Sequence, residues 1–366
     1  MNETTSQRPA DEIIAQPTDS ANEQEIERAG FSLERSLRNP RTWISFALAA
    51  AIIVVLFRSL NIDLAATWNY MRGANPLWMI TALVVFYTTF PLRAIRWRML
   101  LTNAGVPVAA GKASWASMPA LMEYIYLSWF ANCIVPAKLG DAYRGYLLKK
   151  NGGVSFASTF GTIFAERLLD VLGLFTFLVV SGWFVFGTHL PPSTNLIFIA
   201  GIALVVLIVA GLAGMRFLGP FIRRLLPERI LKVYAPFEAA ALRSFRPAIL
   251  PRLILLTGVV WMLEGLRLYF VIQALEVEGL RLALPVVIFI ALASSLLTAV
   301  PLTPAGVGLV EGAVVSVLVL FLPSSTPAIA DASRNLAVAV TLLDRTVNFW
   351  SIIVFGLILY IFSKRK

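Results

Sequence analysis

The sequence predicts an all-helical polytopic membrane protein, and three observations carry that prediction. Hydrophobic residues make up 58% of the 366 positions and charged residues only 14%, with a mean hydropathy of +0.76, where soluble domains run near ~25% charged. The apolar residues gather into several runs of about 20, the length a helix needs to cross a hydrocarbon core of about 30 Å. Strand-type alternation is missing, which argues against an outer-membrane barrel.

In chain order, residues 1–40 are polar and mostly acidic (Glu3, Asp11, Glu12, Asp19, Glu23, Glu25, Glu27) and contain no apolar stretch to act as a signal peptide. They read as a disordered cytosolic tail ahead of a first helix that serves as an uncleaved signal anchor. Full crossings are expected at about 43–60, 77–92, 163–187, 195–215, 253–275 and 336–361. Between the fourth and fifth, residues 216–252 carry eight Lys and Arg (Arg216 to Arg252) against Glu228 and Glu238, which reads as a basic cytoplasmic loop. Residues 362–366 end in Lys364-Arg365-Lys366 and belong on the same side, with both termini cytoplasmic in an inner-type membrane.

Two apolar stretches do not fit simple crossings. The run 113–135 has Arg93, Arg96, Arg98 and Lys112 before it and Lys138, Arg144, Lys149 and Lys150 after it, so both ends favour the cytoplasm. The run 284–322 is interrupted by Pro301, Pro304, Gly306 and Gly308. Each is expected to be a re-entrant helical hairpin, the two entering from opposite faces; eight plain helices are the alternative.

The halves echo each other in order. Ile95-Arg96 precedes Pro136-Ala137-Lys138-Leu139-Gly140 as Leu266-Arg267 precedes Pro304-Ala305-Gly306-Val307-Gly308, and Glu166-Arg167-Leu168-Leu169-Asp170 answers Asp344-Arg345-Thr346-Val347-Asn348. Residues 41–187 and 195–361 therefore read as inverted-topology copies, an arrangement suited to a transporter that alternates between two near-equivalent states.

A single cysteine, Cys133, and a single histidine, His189, exclude disulfides, clustered Cys/His metal sites and a histidine-based triad. No cofactor is expected, and chemistry falls to carboxylates, arginines and amides. Glu166, Arg167, Asp170, Asp344 and Arg345 lie within or at the ends of apolar runs, where an ionised side chain costs at least about 2.5 kcal/mol. They are either interhelical ties, Arg167 to a carboxylate of the other half, or the lining of a central cavity in which Arg167 and Arg345 present planar forks to a phosphate. A second set lies at the hairpin tips: Asn132, Pro136, Gly140, Asp141 and Arg144 on one, Thr303, Pro304, Gly306, Gly308 and Glu311 on the other. Arg93, Arg96, Trp97 and Arg98, with Glu264, Arg267 and Tyr269, fit interfacial anchors equally well, Arg96 and Arg267 holding matching places in the repeat. Glu123, among Tyr124, Tyr126 and Trp129, is ambiguous.

Arg93-Ala-Ile-Arg96-Trp97-Arg98, Asn132-Cys-Ile-Val-Pro136-Ala-Lys-Leu-Gly140-Asp141-Ala-Tyr-Arg144, Glu166-Arg167-Leu-Leu-Asp170 and Pro304-Ala-Gly306-Val-Gly308-Leu-Val-Glu311-Gly312 together resemble the transmembrane region of lysylphosphatidylglycerol synthases and its stand-alone, flippase-like relatives. The resemblance implies a lipid translocase without the cytosolic aminoacyltransferase domain of bifunctional members. The expected function is movement of a phosphate-bearing lipid between leaflets through a charged cavity between the halves, with phospholipid or polyprenyl-phosphate lipids as partners, no nucleic acid, and a homo-oligomer open. The alternatives are a membrane enzyme or an accessory scaffold in lipid-linked glycan or envelope-lipid synthesis.

Overall fold

The computed structural model describes residues 40–59, 62–108, 114–135, 139–187, 192–277, 282–297 and 306–366, and every regular element among them is helical. Helix α1 (Pro40–Ser59) and the short α2 (Leu64–Arg72) lead into α3 (Pro76–Asn103). Asp63 opens α2 by accepting from the backbone N–H groups of Ala65 and Ala66, and Asn75 opens α3 by accepting from that of Leu77. Pro76 takes the first helical position, where its missing N–H would have had no partner. Next come α4 (Met118–Ile134), α5 (Leu139–Gly152), α6 (Phe156–Phe186), α7 (Pro192–Leu225), α8 (Glu228–Arg243) and α9 (Leu250–Ala274). The chain closes with α10 (Leu284–Leu297), α11 (Leu309–Leu320), α12 (Pro327–Arg345), a π-helical turn at Thr346–Trp350 and α13 (Ser351–Phe362). Ser117, Ser155 and Thr326 repeat the capping device at α4, α6 and α12.

Five stretches are long and apolar enough to cross a membrane: Pro76–Asn103, Phe156–Phe186, Gly201–Leu225, Leu250–Ala274 and Pro327–Phe362. They contain or overlap five of the six expected crossings. The sixth coincides with α1, whose 20 residues reach about 30 Å. The protein is thus a multi-pass membrane protein built from helices.

Two segments differ from the sequence-based expectation. Residues 216–252, read as a loop, are mostly helical: α7 runs on to Leu225, and α8 packs along α6. Arginine and lysine are good helix formers, so a basic segment is no bar to helix, and Glu238 reaches back to Arg223 at 2.9 Å. The partner of α4 is α5, beyond the apolar run 113–135; α5 carries Asp141, Arg144, Lys149 and Lys150, so hydropathy does not reveal it. The tail 1–39, His189, Pro136, Lys138, Pro301, Thr303 and Pro304 lie outside the described residues.

At the centre α3 packs along α9, and α6 packs against both. Helices α10 and α11 pack on each other and join this centre through α6, α9 and α12, while α4 and α5 pair and meet α3, α6 and α13. The main core runs through Phe86, Trp97, Leu121, Tyr124 and Leu147, all fully shielded. Helix α7 is different: Ile202, Val206, Leu207, Phe217 and Phe221 are exposed along it, an apolar surface suited to lipid.

Candidate functional site

Inside this bundle the ionisable residues meet in two linked groups. In the first, α3 supplies Arg96, fully buried, which donates to Glu166 Oε1 at 2.9 Å, Asp170 Oδ1 at 2.7 Å and Thr257 Oγ1 at 2.9 Å. Glu166 and Asp170 are one turn apart on α6, so one guanidinium fork spans both. Arg144 from α5 donates to the other oxygen of Glu166 at 2.7 Å and lies over the Trp97 ring at 4.6 Å. Arg167 turns away from Glu166, as adjacent helical residues must, and holds Asp141 with Nε at 2.8 Å and Nη2 at 2.6 Å.

In the second group, Arg267 from α9 donates to Asp344 and, at 3.3 Å, to Glu264. Arg345 donates from Nε to Glu311 at 2.6 Å, and the other oxygen of Glu311 accepts from the Gly308 N–H at 2.6 Å. Asn348 donates to Asp344 at 2.8 Å. Between the groups, Arg93 on α3 donates to Glu264 on α9 at 3.0 Å and stacks over Trp129 at 4.7 Å.

Pairings in one group have counterparts in the other. Arg96 with Glu166 corresponds to Arg267 with Asp344, and Arg167 with Asp141 corresponds to Arg345 with Glu311. Asp141 and Glu311 are each the third residue of their helix. A glycine precedes each of them closely. Gly308 sits at φ +91°, outside the range of L-residues. Gly140 gives its N–H to Asn132 Oδ1 at 2.9 Å, and a Cβ there would come within 2.0 Å of the Ser128 carbonyl.

A cavity of about 240 Å³ opens between these groups. Among the described residues its lining includes Arg93, Arg167, Arg267 and Arg345 and two carboxylates, Asp170 and Glu264. Asp141, Glu311 and Asp344, which neutralise three of those arginines, do not line it. Arginines whose counter-ions lie behind them present an excess of positive charge forward, and a water-poor wall strengthens it. Phe86, Trp129, Trp261 and Phe349 supply the apolar part, and Asn132, Gly306 and Asn348 complete the polar part. Arg345 Nη2, Asn348 Oδ1 and Trp261 Nε1 are shielded yet have no hydrogen-bond partner, an unused capacity beside the cavity that is costly without a ligand or water.

The structure therefore brings together Arg96, Asn132, Gly140, Asp141, Arg144, Glu166, Arg167, Asp170, Arg267, Gly306, Gly308, Glu311, Asp344 and Arg345. The structure bears on three readings that the sequence left open. Arg167 and Arg345 line the cavity, and both are also engaged by carboxylates. Arg167 is tied within its own half, to Asp141 and Asp170, because the third position of α5 reaches it across the α5–α6 contact. Arg93, Arg96, Glu264 and Arg267 are not interfacial anchors but are 7% exposed or less. Glu123 is a latch for the C-terminal segment, taking Ser363 Oγ and Arg365. Arg93 and Glu264 belong in the site although the repeat comparison passed over them; each lies one turn before Arg96 or Arg267, and that i, i+3 spacing is the signal that finds them.

The chain resembles known proteins over most of its length. It is 34% identical over 237 residues, 65% of this chain and 95% of the relative, to a UPF0104 membrane protein of Methanocaldococcus jannaschii. It is 22% identical over 350 residues, 89% of this chain and 98% of the relative, to one of Pyrococcus horikoshii. A shorter match, 29% over 132 residues, covers 36% of this chain and 20% of the glycosyltransferase AglD of Haloferax volcanii. No solved structure matches. Residues 42–356 match the lysylphosphatidylglycerol synthase TM region, and with the arginines and helix breaks of the cavity inside that span, the chain belongs to this family.

Proposed function

We propose that the protein moves a phosphate-bearing lipid between the leaflets of the cytoplasmic membrane. The observation that carries this is the cavity lined by four arginines and two carboxylates among helices of a membrane bundle. Ionisable groups at membrane depth are costly and point by default to a functional site, and the excess of guanidinium over carboxylate on the wall favours an anion. A phosphate entering there competes with Asp141 and Glu311 for Arg167 and Arg345. Each exchange replaces one charge-assisted bond with another, so the headgroup can be held without a deep trap. The pairs α4–α5 and α10–α11 act as re-entrant hairpins from opposite faces, and the two halves as inverted copies whose rocking opens the cavity to either side. Both termini face the cytoplasm in this scheme.

Leaflet exposure of fluorescent phosphatidylglycerol and of a fluorescent polyprenyl phosphate in proteoliposomes tests this. Wild-type protein is expected to accelerate exchange of at least one of them over empty vesicles, and Arg345→Ala to lower that rate at least tenfold. Equal rates with wild type, Arg345→Ala and empty vesicles would overturn it. The match to part of AglD favours one second reading, a role in assembling a lipid-linked glycan; sugar transfer to polyprenyl phosphate by the purified protein, with no leaflet exchange, is the result that selects it.

A further inference from the structure

Arg345 and Phe349 line two cavities, the charged one and a second of about 150 Å³ that also touches Ile53 of α1, Val315 of α11 and Val338 and Leu342 of α12. We propose that the second cavity takes the end of a linear hydrocarbon chain while the first takes the phosphate at its head, with the Arg345–Glu311 pair and the Phe349 ring as the wall between them. The proposal rests on the translocation reading and identifies its substrate as a single-chain-first amphiphile, threaded from the membrane side.

Three observations support it. Apart from Arg345 Nη2, the buried polar side chains of the second cavity are already committed: Thr341 donates to the Ala337 carbonyl at 2.7 Å, and the two oxygens of Glu311 accept from Arg345 Nε and the Gly308 N–H. Most of what is left to contact a guest is hydrocarbon, from Ile53, Ile62, Val315, Val338, Leu342 and Phe349, and apolar cavity walls admit small hydrocarbons. The cavity is also bounded by Trp350, which is 57% exposed on the outer surface, and by α1, which meets α11 at this place. A chain lying in the bilayer can therefore reach it without crossing the core. Finally, Arg345 immediately precedes and Phe349 lies within a π-helical turn, a local widening of the helix that recurs at functional sites and here sets residues of adjacent turns into both cavities.

The test uses full-length protein in phosphatidylcholine nanodiscs with n-dodecyl phosphate carrying a terminal diazirine, and maps the photo-adducts by mass spectrometry. Adducts are expected on Val315, Val338 or Leu342, with the same chain on a neutral alcohol labelling those positions at least fivefold less. Val338→Phe, which fills the cavity, is expected to lower that labelling at least tenfold and to leave adducts on the exposed Val354 unchanged. If that variant does not fold, the wild-type comparison of phosphate with alcohol decides alone. A matching isoprenoid phosphate distinguishes an isoprenoid from an acyl source, and preferential cavity labelling by either supports the site. Adducts confined to outer surfaces, or equal labelling by phosphate and alcohol, overturn it. Because labelling reads binding and leaflet exchange reads movement, cavity labelling without exchange removes the translocation reading alone, and exchange without cavity labelling removes the tail site alone.

Discussion

The two charged groups are built on matching positions but differ in how many charges they lock together. Around Arg167, three arginines (Arg96, Arg144, Arg167) meet three carboxylates (Asp141, Glu166, Asp170), and both oxygens of each acid are engaged. Around Arg345, Asp170 is answered by Asn348, and the position three after Glu311, where Arg144 would correspond, is Val314. The helix there slips into a π-helical turn, and Arg345 Nη2 and Asn348 Oδ1 are left without partners. The six interlocked charges of the first group hold α3, α5 and α6 together, since every displacement breaks a charge-assisted bond. Unpartnered atoms occur in both groups, Arg96 Nε and Arg144 Nε in the first and Arg345 Nη2 and Asn348 Oδ1 in the second. Under the proposed translocation the second group, with fewer charges locked together, is the one that exchanges partners with substrate.

The largest expected effect is at the first group. Arg96→Ala leaves Asp170 and one oxygen of Glu166 without their strongest partner, and thermal unfolding in detergent should show a loss of about 3–5 kcal/mol. Arg96→Lys should recover only part of this, because an ammonium cannot bridge two carboxylates as a planar fork does. A loss under about 1 kcal/mol would break the comparison. Gly140→Ala is expected next, at about 1–3 kcal/mol, as its methyl group meets the Ser128 carbonyl and forces α4 and α5 apart; the same melting measurement reads it.

Arg345→Ala sharpens the contrast from the other side. Its stability loss should be smaller than that of Arg96→Ala, while leaflet exchange falls at least tenfold, equivalent to about 1.4 kcal/mol in the barrier. Reversed outcomes, a stable but inactive Arg96→Ala and an unstable but active Arg345→Ala, would exchange the roles of the two groups. The smallest effect belongs to the C-terminal latch. Arg365 pairs with Glu123 at a half-exposed position, so Arg365→Ala should alter melting by about 0.2–1 kcal/mol and leave exchange unchanged.

Much of this was legible from residue order. Burying uncompensated backbone in lipid is so costly that apolar runs of about 20 residues have to be helices, and α3, α6, α9 and the α12–α13 stretch were readable on that ground. Charge within such runs is also conspicuous, which is why Glu166, Arg167, Asp170, Asp344 and Arg345 stand out. Helix α5 was not legible as a partner of α4, because its polar composition matches a loop and only packing reveals its role. The ends of α7 and α8 escaped for the same reason.

Sequence alone determined that this chain lives in a membrane, is helical and carries arginines and acids at matched places, because those properties depend on composition and on spacing along one element. Which acid each arginine holds was decided only by the tertiary structure. Arg96 reaches α6 and Arg167 reaches α5 through contacts between helices 70 and 26 residues apart in the chain, and a salt bridge depends on a separation of a few ångströms that no local pattern encodes. That same geometry decided which donors stay unpaired, Arg96 Nε and Arg144 Nε in one group and Arg345 Nη2 in the other.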